Sequence, residues 1–475
     1  MKSATRIIDA TLREGMQTSA GVFTLPQSVA IASLLAEAGV DMIECGHPSA
    51  SESERARVAA VTRAVPGVPV LAHARACSED IAAVAQSGAT WVGVFLGVNE
   101  ASRRHRTEGA TTSQLHKWIV RSVEDAHALG LRIRLTVEDG SRTTEEELWT
   151  ALEVATEAGA DRVCFSDTTG ALEPADVSRQ VSALSERQPE QHLEVHLHDD
   201  RGLALANALA AVDAGATWVS TSVNGLGERA GITDLAALLL NLHLRGGREL
   251  PPAGVLHDLS RRVGAYSRSR PDDRRPVVGR NVFHHAARLH VRAVERDAST
   301  YELLDPALLG RKRSVAVAGN GGLLPRDPED LIVTPPVISA EELRHHRKGP
   351  GDRFVLVDDR FVPGAGQYCI ARRIPPADDH GPGHVDPHVH ACDSLFGFLG
   401  DEDGYRGLTV EVRLGDDVRT VTSPAAVFIP AGTLHSYRAV SGGGTYLNHV
   451  LSGSYEESLL DPLTPLAPPL ALEAL

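Results

Sequence analysis

EVATEAGADRVCFSDTTG, residues 153–170, contains the pattern that decides the fold of this 475-residue chain. An alanine-rich stretch with helical spacing ends at Gly159, and the β-branched and aromatic run Arg162–Phe165 follows almost at once. A glycine that ends a helix in the left-handed conformation, directly before a buried strand, explains this order. The polar residues Asp167 and Thr168 come next. The stretch therefore predicts a helix, a buried strand and a polar loop.

The same order recurs through the first 245 residues. The glycine punctuation returns in EAGVD (37–41), QSGAT (86–90), ALGLR (128–132) and DAGAT (213–217). The eight strands predicted from the pattern are Arg6–Asp9, Met42–Gly46, Val68–His73, Trp91–Leu96, Arg132–Val137, Arg162–Phe165, Leu193–Leu197 and Thr217–Ser222. Eight strands that alternate with helices predict an α/β fold, a closed parallel (β/α)8 or TIM barrel. A doubly wound open sheet is the alternative.

Polar side chains follow nearly every predicted strand at its C-terminal end. They include Arg13, Glu14, Gln17, Glu44, His73, Arg75, Glu138, Asp139, Asp167, Thr168, His196 and His198, and the loop NGLGERAG (224–231). In barrels of this class the chemistry lies at that end of the strands. The pattern therefore predicts an enzyme.

The segment EVHLHDD, residues 194–200, indicates a metal site. On a strand, His196 and His198 point to the same face because side chains alternate with a period of two. Two inward imidazoles and the carboxylate of Glu14, which follows the first strand, would hold a divalent metal and leave open positions. Two hydrogen-bonded core histidines are the alternative.

Composition excludes several classes of protein. The formal net charge of -15 argues against nucleic-acid binding, since no basic excess is present to replace phosphate counterions. No run of eighteen apolar residues exists to span a membrane, and the first residues lack a signal-peptide core. Five cysteines without a C-x-x-C pair are typical of reduced thiols. We expect a cytoplasmic enzyme with small-molecule substrates.

Several motifs in one order resemble the Claisen-condensing branch of the metal-dependent barrel acyltransferases, which includes homocitrate synthase and 2-isopropylmalate synthase. In the barrel these are DATLREGMQ (9–17), GVDMIE (39–44), TVED (136–139), DTTG (167–170), HLHDD (196–200) and GERAGIT (227–233). Glu14 and three further motifs resemble homocitrate synthase in particular, namely IECGHPSASES (43–53), PVVGRNVFHHAARLH (276–290) and STYELLDP (299–306). The resemblance covers roughly residues 5–320.

The resemblance implies an acyltransferase that condenses acetyl-CoA with a 2-oxo acid, 2-oxoglutarate by default, and releases CoA and a homocitrate-type 2-hydroxy acid. Glu14, His196 and His198 would hold the divalent metal, which is Zn, Mg or Mn. Arg13 would stabilise the developing alkoxide, Gln17 would orient the site, Glu44 would help bind substrate and Thr168 would contact the C1 carboxylate.

The same resemblance assigns the remaining roles. His73 and Arg134 match positions that bind the distal carboxylate of 2-oxoglutarate. His290 and Tyr301 match a pair on a lid that enolises the acetyl-CoA methyl group, with Glu138 close by. In relatives, the segment that matches residues 250–345 of this chain forms small subdomains that reach over the partner's barrel, which implies a homodimer.

The sequence also departs from the family pattern. Ala286 and Arg288 replace a lysine and a glycine in the lid motif, and Ala230 and Asp199 each replace an asparagine. His47 stands where homocitrate synthases place a small hydroxyl residue. These changes leave the reaction type intact and open the question of the acceptor, because Arg288 would suit a more anionic molecule.

Three alternatives therefore remain open. The first is a phosphonomethylmalate-type synthase that uses a phosphono- or phosphinopyruvate acceptor in natural-product biosynthesis. The second is an acyl-CoA lyase of the same superfamily, against which the segment STYELLDP (299–306) argues. The third is a non-catalytic sensor with a relic barrel.

Composition divides the chain into a catalytic barrel (1–248), a linker with lid subdomains (249–345) and a third domain (346–475). Residues 351–460 alternate with β period, and PHVH (387–390) and FIPAGTLH (428–435) look like the two motifs of a cupin barrel. His388, His390 and His435 would meet at a second metal. A glutamate expected after the first motif is missing, and Asp393 lies one position early. A structural or ligand-sensing domain is the alternative.

Overall fold

The computed structural model describes residues 5–18, 23–267, 269, 271–315, 332–338, 343–362 and 365–460. The chain divides into two compact units, Met1–Gly322 and Leu323–Leu475, called here the first and the second unit. The predicted connector at residues 319–322 lies outside the described residues. The boundaries placed after residues 248 and 345 stay a prediction.

The first unit contains a closed barrel in which each strand pairs in parallel with its neighbours, and β8 returns to β1. The strands are β1 (Arg6–Leu12), β2 (Met42–Cys45), β3 (Val70–Arg75), β4 (Trp91–Gly97), β5 (Arg132–Glu138), β6 (Arg162–Asp167), β7 (Leu193–Leu197) and β8 (Trp218–Thr221). The predicted (β/α)8 barrel is confirmed, and the open-sheet alternative is wrong because the ring closes.

Helices alternate with the strands and continue beyond the last one. They are α1 (Leu25–Glu37), α2 (Glu52–Ala64), α3 (Ser78–Gln86), α4 (Glu100–Arg106), α5 (Thr112–Ala128), α6 (Glu145–Glu157), α7 (Pro174–Arg187), α8 (Ala204–Ala214), α9 (Leu235–Leu244), α10 (Val255–Tyr266) and α11 (Arg288–Arg296). Thr24 and Thr111 begin α1 and α5 with reciprocal capping boxes, which satisfy free backbone N–H groups. The five punctuating glycines all have positive φ, as predicted.

A cationic cluster closes the N-terminal end of the barrel. The guanidinium of Arg162, at the start of β6, lies 4.7 Å from the ring of Trp91 and 4.0 Å from that of Trp218. Both tryptophans begin their strands, and Ile8 and Met42 pack beside them. Aromatic faces compensate a buried guanidinium electrostatically. The interior is therefore filled at this end and open at the other.

Short elements follow the barrel in the first unit. Two-residue strands β9 (His284–His285) and β10 (Ser314–Val315) pair in parallel, and the 3₁₀ turns Ala298–Thr300 and Pro306–Leu309 lie between them in the chain. No helix in the part of the chain that the structure describes is long and apolar enough to cross a membrane.

In its described residues, the second unit is an antiparallel all-β structure with one short helix, Tyr455–Ser458. Its strands are β11 (Arg353–Val357), β12 (Tyr368–Ala377), β13 (Val389–His390), β14 (Ser394–Gly400), β15 (Leu408–Leu414), β16 (Asp417–Thr422), β17 (Ala425–Ile429), β18 (His435–Val450) and β19 (Leu459–Leu460). The main sheet runs β11-β12-β18-β14-β17, and β15 joins β16 to β18. Alternate residues of β12 and β14 are buried. The predicted all-β domain is confirmed, and its assignment as a cupin stays a prediction.

Candidate active site

A cavity of about 310 Å³ lies where the C-terminal ends of the barrel strands meet. Nine residues predicted from the sequence line it, namely Arg13, Glu14, Gln17, His73, Arg134, Glu138, Thr168, His196 and His198. Glu44, a tenth residue predicted from the sequence, is bonded directly to three of these nine. The closed ring of strands brings these distant segments of the chain together.

Two clusters of possible metal ligands occur among the residues that the structure describes, and Glu14, His196 and His198 form the first, called here the barrel triad. Glu14 begins a 3₁₀ turn after β1, His196 lies on β7 and His198 follows β7 by one residue. One donor atom of each residue lies within 4.8 Å of the others, and His196 Nε2 is 4.0 Å from Glu14 Oε2. All three side chains are buried.

The barrel triad has the chemistry of a divalent-metal site. His196 Nδ1 is 2.9 Å from Ser220 Oγ, which leaves Nε2 to face Glu14. His198 Nδ1 is buried without a hydrogen-bond partner among the described residues. A buried nitrogen of this kind costs free energy unless a ligand or a metal engages it. The residues present therefore fit a divalent ion with positions left for substrate oxygens.

Electrostatics keep the barrel triad in its metal-binding protonation state. Burial raises the pKa of Glu14, but Arg13 and the two histidines outweigh burial and hold it at about 2. Burial, followed by His198 and Arg13, lowers the pKa of His196 to about 3, and burial also lowers the pKa of His198. The carboxylate is ionised and the imidazoles are neutral at neutral pH, as metal binding requires.

Arg13 joins the barrel triad to a chain of buried charges. It forms an ion pair with Glu14, and its Nε donates to Glu44 Oε1 at 2.6 Å. Its Nη1 also lies 3.4 Å from Gln17 Oε1. A guanidinium fixed beside the metal position is suited to stabilise negative charge on a substrate oxygen.

The buried charges continue from Glu44 to the closed end of the barrel. Arg134 Nη1 donates to Glu44 Oε2 at 3.0 Å and to Glu194 Oε1 at 2.8 Å, and Arg162 Nε lies 3.0 Å from Glu194 Oε2. His73 Nε2 is 2.8 Å from Glu44 Oε1 and from Arg134 Nη2. We call this alternating set, Glu14, Arg13, Glu44, Arg134, Glu194 and Arg162, the charge ladder.

The charge ladder sets the protonation state of Glu44 and of His73, which lies beside the ladder. Burial raises the pKa of Glu44, but Arg13 and Arg134 outweigh burial and hold it well below the usual value. Burial and Arg13 lower the pKa of His73 well below its usual value, so His73 is neutral. Glu44 is thus ionised between two guanidiniums, and a neutral imidazole lies beside it.

A glycine makes room for the middle of the charge ladder. A Cβ on Gly93 of β4 would lie 2.6 Å from Leu71 Cδ2, 2.8 Å from Arg134 Nη2 and 3.0 Å from His73 Cδ2. Contacts this short are not seen for real side chains, so any other residue would displace Arg134 or His73. Gly93 therefore belongs to the architecture of the site.

The mouth of the cavity carries a second set of polar groups. Glu138, the last residue of β5, forms an ion pair with Arg106 at the end of α4. Thr168 Oγ1 accepts the backbone N–H of Asp139 at 2.8 Å, and its carbonyl accepts Arg229 Nη2 at 2.6 Å. These contacts fix Thr168 at the rim.

An aromatic wall lies on the β2–β4 side of the cavity. The ring of His73 stacks on Phe95 with a centroid distance of 5.1 Å, and His47 meets His73 edge-on at 5.0 Å. Burial and Arg13 lower the pKa of His47, which favours its neutral form. The unusual His47 therefore adds bulk and a hydrogen-bonding nitrogen, and little charge.

His290 and Tyr301 meet each other outside the cavity. Their rings stack with a centroid distance of 3.9 Å and an interplanar angle of 24°. Neither is among the described residues that line the cavity, and Tyr301 is 45% exposed. The structure thus forms the predicted pair and leaves it apart from the barrel triad within one chain.

Sequence reasoning missed several residues of the site. Arg106, Phe95, Thr136, Cys164 and Ser166 line the cavity, and Glu194 joins the charge ladder behind it. Glu194 was detectable, because it precedes His196 by two residues and shares its face. Arg106 gave no such signal, since it lies in the run RRHR (103–106), which reads as a solvated helix end.

The second unit contains the other cluster, called here the histidine triad. One nitrogen of each of His388, His390 and His435 lies within 4.8 Å of the others. Each Nδ1 faces outward, 2.8 Å from Asp386 O, Ser458 Oγ and Thr433 O respectively. Nδ1–H therefore donates, and the three Nε2 lone pairs remain inside.

The inner nitrogens of the histidine triad are poorly satisfied. His390 Nε2 and His435 Nε2 are buried and lack a hydrogen-bond partner among the described residues, while His388 Nε2 is 3.2 Å from the hydroxyl of Tyr455. Burial lowers the pKa of His388 to about 4 and that of His390 to about 3, so both are neutral. Asp393 instead accepts the backbone N–H of Ala431 at 2.8 Å.

Two family models match segments of the first unit. Residues 4–262 match the HMGL-like family, and residues 277–321 match the homocitrate synthase post-HMGL domain-like family. The first match alone spans more than half of the chain.

Individual relatives agree with these matches. The chain is 40% identical to a homocitrate synthase from Pyrococcus abyssi over 311 residues, which are 66% of this chain and 85% of that protein. It is 36% identical to a homocitrate synthase from Saccharolobus islandicus over 315 residues, 66% of this chain and 68% of that protein. A solved hydroxymethylglutaryl-CoA lyase from Pseudomonas aeruginosa shares the fold, with a TM-score of 0.50 and 23% identity over 56% of this chain and 93% of that chain.

Proposed function

Because this chain belongs to the HMGL-like family and to its homocitrate synthase branch, we propose that it condenses acetyl-CoA with 2-oxoglutarate in a metal-dependent Claisen reaction. It is an acyltransferase that joins acetyl-CoA to a 2-oxo acid. The observation that carries the finer proposal is the barrel triad, which meets Arg13 in one buried cavity. CoA and a homocitrate-type 2-hydroxy acid would be the products.

The barrel triad would hold the divalent metal through Glu14, His196 and His198. When bound, the metal supplies Lewis-acid polarisation of the keto group and a chelation point for the adjacent carboxylate. Ser220 orients His196, and the backbone N–H of Glu228 donates to Glu14 Oε1 at 3.2 Å. Such outer contacts fix the ligands before the metal arrives.

Residues around the barrel triad would bind and polarise the acceptor. Arg13 stabilises the negative charge that develops on the keto oxygen, because a fixed guanidinium needs no reorganisation during the step. Gln17 lies beside Arg13 and orients the same region. Thr168 at the rim donates to the C1 carboxylate, and Glu44 holds Arg13 in place.

The distal carboxylate of 2-oxoglutarate would meet the deeper wall, where Arg134 and His73 offer hydrogen bonds. An apolar acceptor would give no new hydrogen bond to this polar wall, where Arg134 Nε is buried without a partner among the described residues, at a cost of about 1–3 kcal/mol for each unsatisfied group. The proposal therefore favours an acceptor with a second anionic group over a branched apolar one.

Acetyl-CoA would be activated by His290, Tyr301 and Glu138. A thioester methyl proton is weakly acidic, so its removal needs a positioned base and a donor to the enolate oxygen. The methyl carbon then bonds to the keto carbon, and water cleaves the thioester to release CoA. Since His290 and Tyr301 lie outside the cavity of their own chain, we propose a homodimer in which they cover the partner's barrel.

Thiol release from acetyl-CoA tests this proposal. The full-length protein is assayed with 2-oxoglutarate, oxaloacetate, phosphonopyruvate and 2-oxoisovalerate, with and without EDTA. We expect the highest kcat/KM for 2-oxoglutarate and loss of turnover in EDTA. A preference for phosphonopyruvate would establish the phosphonomethylmalate-type alternative, and cleavage of hydroxymethylglutaryl-CoA would establish a lyase. The homologues do not favour these alternatives.

We also propose that the histidine triad binds a second divalent metal. Three convergent Nε2 atoms, two of them buried without partners among the described residues, support this site. Neutral imidazoles suit Zn, Cu, Fe and Ni better than Mg or Ca. Metal analysis of the purified protein should give two equivalents per chain, and His390→Ala should remove one. A single equivalent that His390→Ala retains would refute the second site.

A further inference from the structure

Among the described residues, four guanidiniums line the cavity of the first unit, those of Arg13, Arg106, Arg134 and Arg229. An acceptor with a second anionic group needs positive charge that is not already matched by buried carboxylates. The partners of each guanidinium therefore decide which of them can recognise such a group.

Two of the four guanidiniums belong to the charge ladder, where buried carboxylates match their positive charge. Arg13 faces Glu14 and Glu44, and Arg134, 2% exposed, faces Glu44 and Glu194. The ladder holds three carboxylates and three guanidiniums, and His73 beside it is neutral. It offers hydrogen bonds to a ligand but no net positive charge.

The positive charge of Arg229 is also matched by a carboxylate. Its Nε donates to Asp200 Oδ1 at 2.8 Å and its Nη2 donates to Asp200 Oδ2 at 2.9 Å. The same Nη2 donates to the carbonyl of Thr168 at 2.6 Å. A bidentate pair with an added backbone contact fixes the guanidinium in place.

Arg106 differs from Arg13 and Arg134 in its exposure, and from the 42% exposed Arg229 in lacking a bidentate pair among the described residues. It is the last residue of α4, and its side chain is 48% exposed. Its ion-pair partner among the described residues is Glu138, which also lines the cavity and is 23% exposed. The guanidinium side of this pair is open to solvent although Glu138 Oε2 is itself buried, so an incoming anion can replace the carboxylate at a lower cost than in the fully buried charge ladder.

We infer that Arg106 is the specificity-determining residue that selects an acceptor with a second anionic group. This inference rests on the proposed function and names the cation that the proposed acceptor requires. The distal anion takes the position of the Glu138 carboxylate at Arg106, while Arg134, whose charge buried carboxylates already match, and the neutral His73 supply hydrogen bonds. Release from Arg106 also frees Glu138 for its proposed part in activating acetyl-CoA.

Equilibrium binding tests the inference without relying on turnover. The full-length protein is loaded with Mn²⁺ and titrated calorimetrically with 2-oxoglutarate and with 2-oxovalerate, which has the same chain length and no distal carboxylate. We expect Arg106→Gln to weaken 2-oxoglutarate binding about 10- to 100-fold, as for loss of a charged hydrogen bond, and to change 2-oxovalerate binding less than about threefold.

Arg104→Gln is the matched control. Arg104 lies on the same helix, pairs with Glu100 on the exposed surface and is not among the described residues that line the cavity. It should leave both affinities unchanged, and Arg106→Lys should recover part of the preference for 2-oxoglutarate.

The outcomes separate this inference from the proposed function. Equal weakening of both acids by Arg106→Gln, no weakening of 2-oxoglutarate, or a wild-type protein without preference between the acids would each overturn the inference. If wild type binds 2-oxoglutarate through Arg106 but releases no CoA from acetyl-CoA, the inference stands and the proposed function fails. If CoA is released and Arg106→Gln has no effect on binding, only the inference fails.

Discussion

The barrel triad and the histidine triad offer the same number of ligands in different electrostatic settings. The first contains a carboxylate, Glu14, and stands at the end of a charge ladder. The second contains imidazoles alone, and each is held from outside through Nδ1. A metal would bring a net charge of about +1 to the first cluster and +2 to the second, since neutral imidazoles leave the charge of a divalent ion unreduced.

The setting determines what each cluster can do. The barrel triad opens into a cavity lined by guanidiniums and carboxylates, which can bind substrate and move charge. The histidine triad lies beneath the Tyr455 hydroxyl, among the tyrosine and phenylalanine rings of the second unit. Ligand geometry thus predicts metal binding in both clusters, whereas the surrounding charges indicate catalysis at the barrel triad.

The largest expected effect comes from removing a ligand of the barrel triad. Glu14→Ala or His196→Ala should lower kcat/KM about 10³-fold or more, because the Lewis acid is worth several kcal/mol. One metal should be lost and the other retained. Metal analysis and thiol release check this, with His105→Ala, on the exposed end of α4, as the control that keeps both metals. Full occupancy at a normal rate would remove these residues from the metal site.

The next effect concerns the pair outside the cavity. His290→Ala or Tyr301→Phe should slow proton exchange at the acetyl-CoA methyl group about 10²-fold or more, the usual contribution of a general acid or base. Binding of the 2-oxo acid should be unchanged, because neither residue lines the cavity. Deuterium uptake from solvent is the measurement, and exchange at the wild-type rate in both variants would disprove the enolisation role.

The charge ladder should matter for stability as well as for substrate. Glu44→Ala leaves Arg13 and Arg134 partly unmatched in the interior and should cost about 3–5 kcal/mol. Asp401→Ala in the second unit breaks a surface pair with Arg373 and should cost about 0–1 kcal/mol. Urea unfolding gives both values. Equal losses would mean that the ladder contributes no more than a surface ion pair.

The smallest effect is a pH dependence in the second unit. Burial, with Arg372 and Arg353, lowers the pKa of His384 to about 3. The unfolded histidine titrates near 6.5, so stability is present above that pH and is lost as pH falls towards the folded value. At pH 5 this one histidine costs about 2 kcal/mol.

His384→Gln should therefore make the EDTA-treated protein less sensitive to acid. The difference in Tm between pH 7 and pH 5, measured by calorimetry, should be smaller in the variant than in wild type. His105→Gln, at an exposed position that is solvated in both states, is the matched control. An unchanged difference for His384→Gln would show that His384 does not contribute to the acid sensitivity.

Sequence patterns are sufficient to predict the barrel and most residues of the barrel site. Helical and strand periods, with a glycine at five of the junctions, specify which face of each element is buried, and burial drives those faces together. The period of two along EVHLHDD put His196 and His198 on one face, and Glu194 belongs to the same series. Local patterns therefore specified the fold, the residues of the barrel triad and the end of the barrel where they lie.

Which charged side chains meet can be seen only in the tertiary structure. Arg134 reaches Glu44 and Glu194 across 90 and 60 residues of chain, and Arg106 pairs with Glu138 from a helix end that looks like an ordinary solvated surface. A sequence period fixes the direction of a side chain relative to its own strand or helix. Its partner depends on ring closure and loop course, so the division between neutralised and available cations exists only in the folded chain.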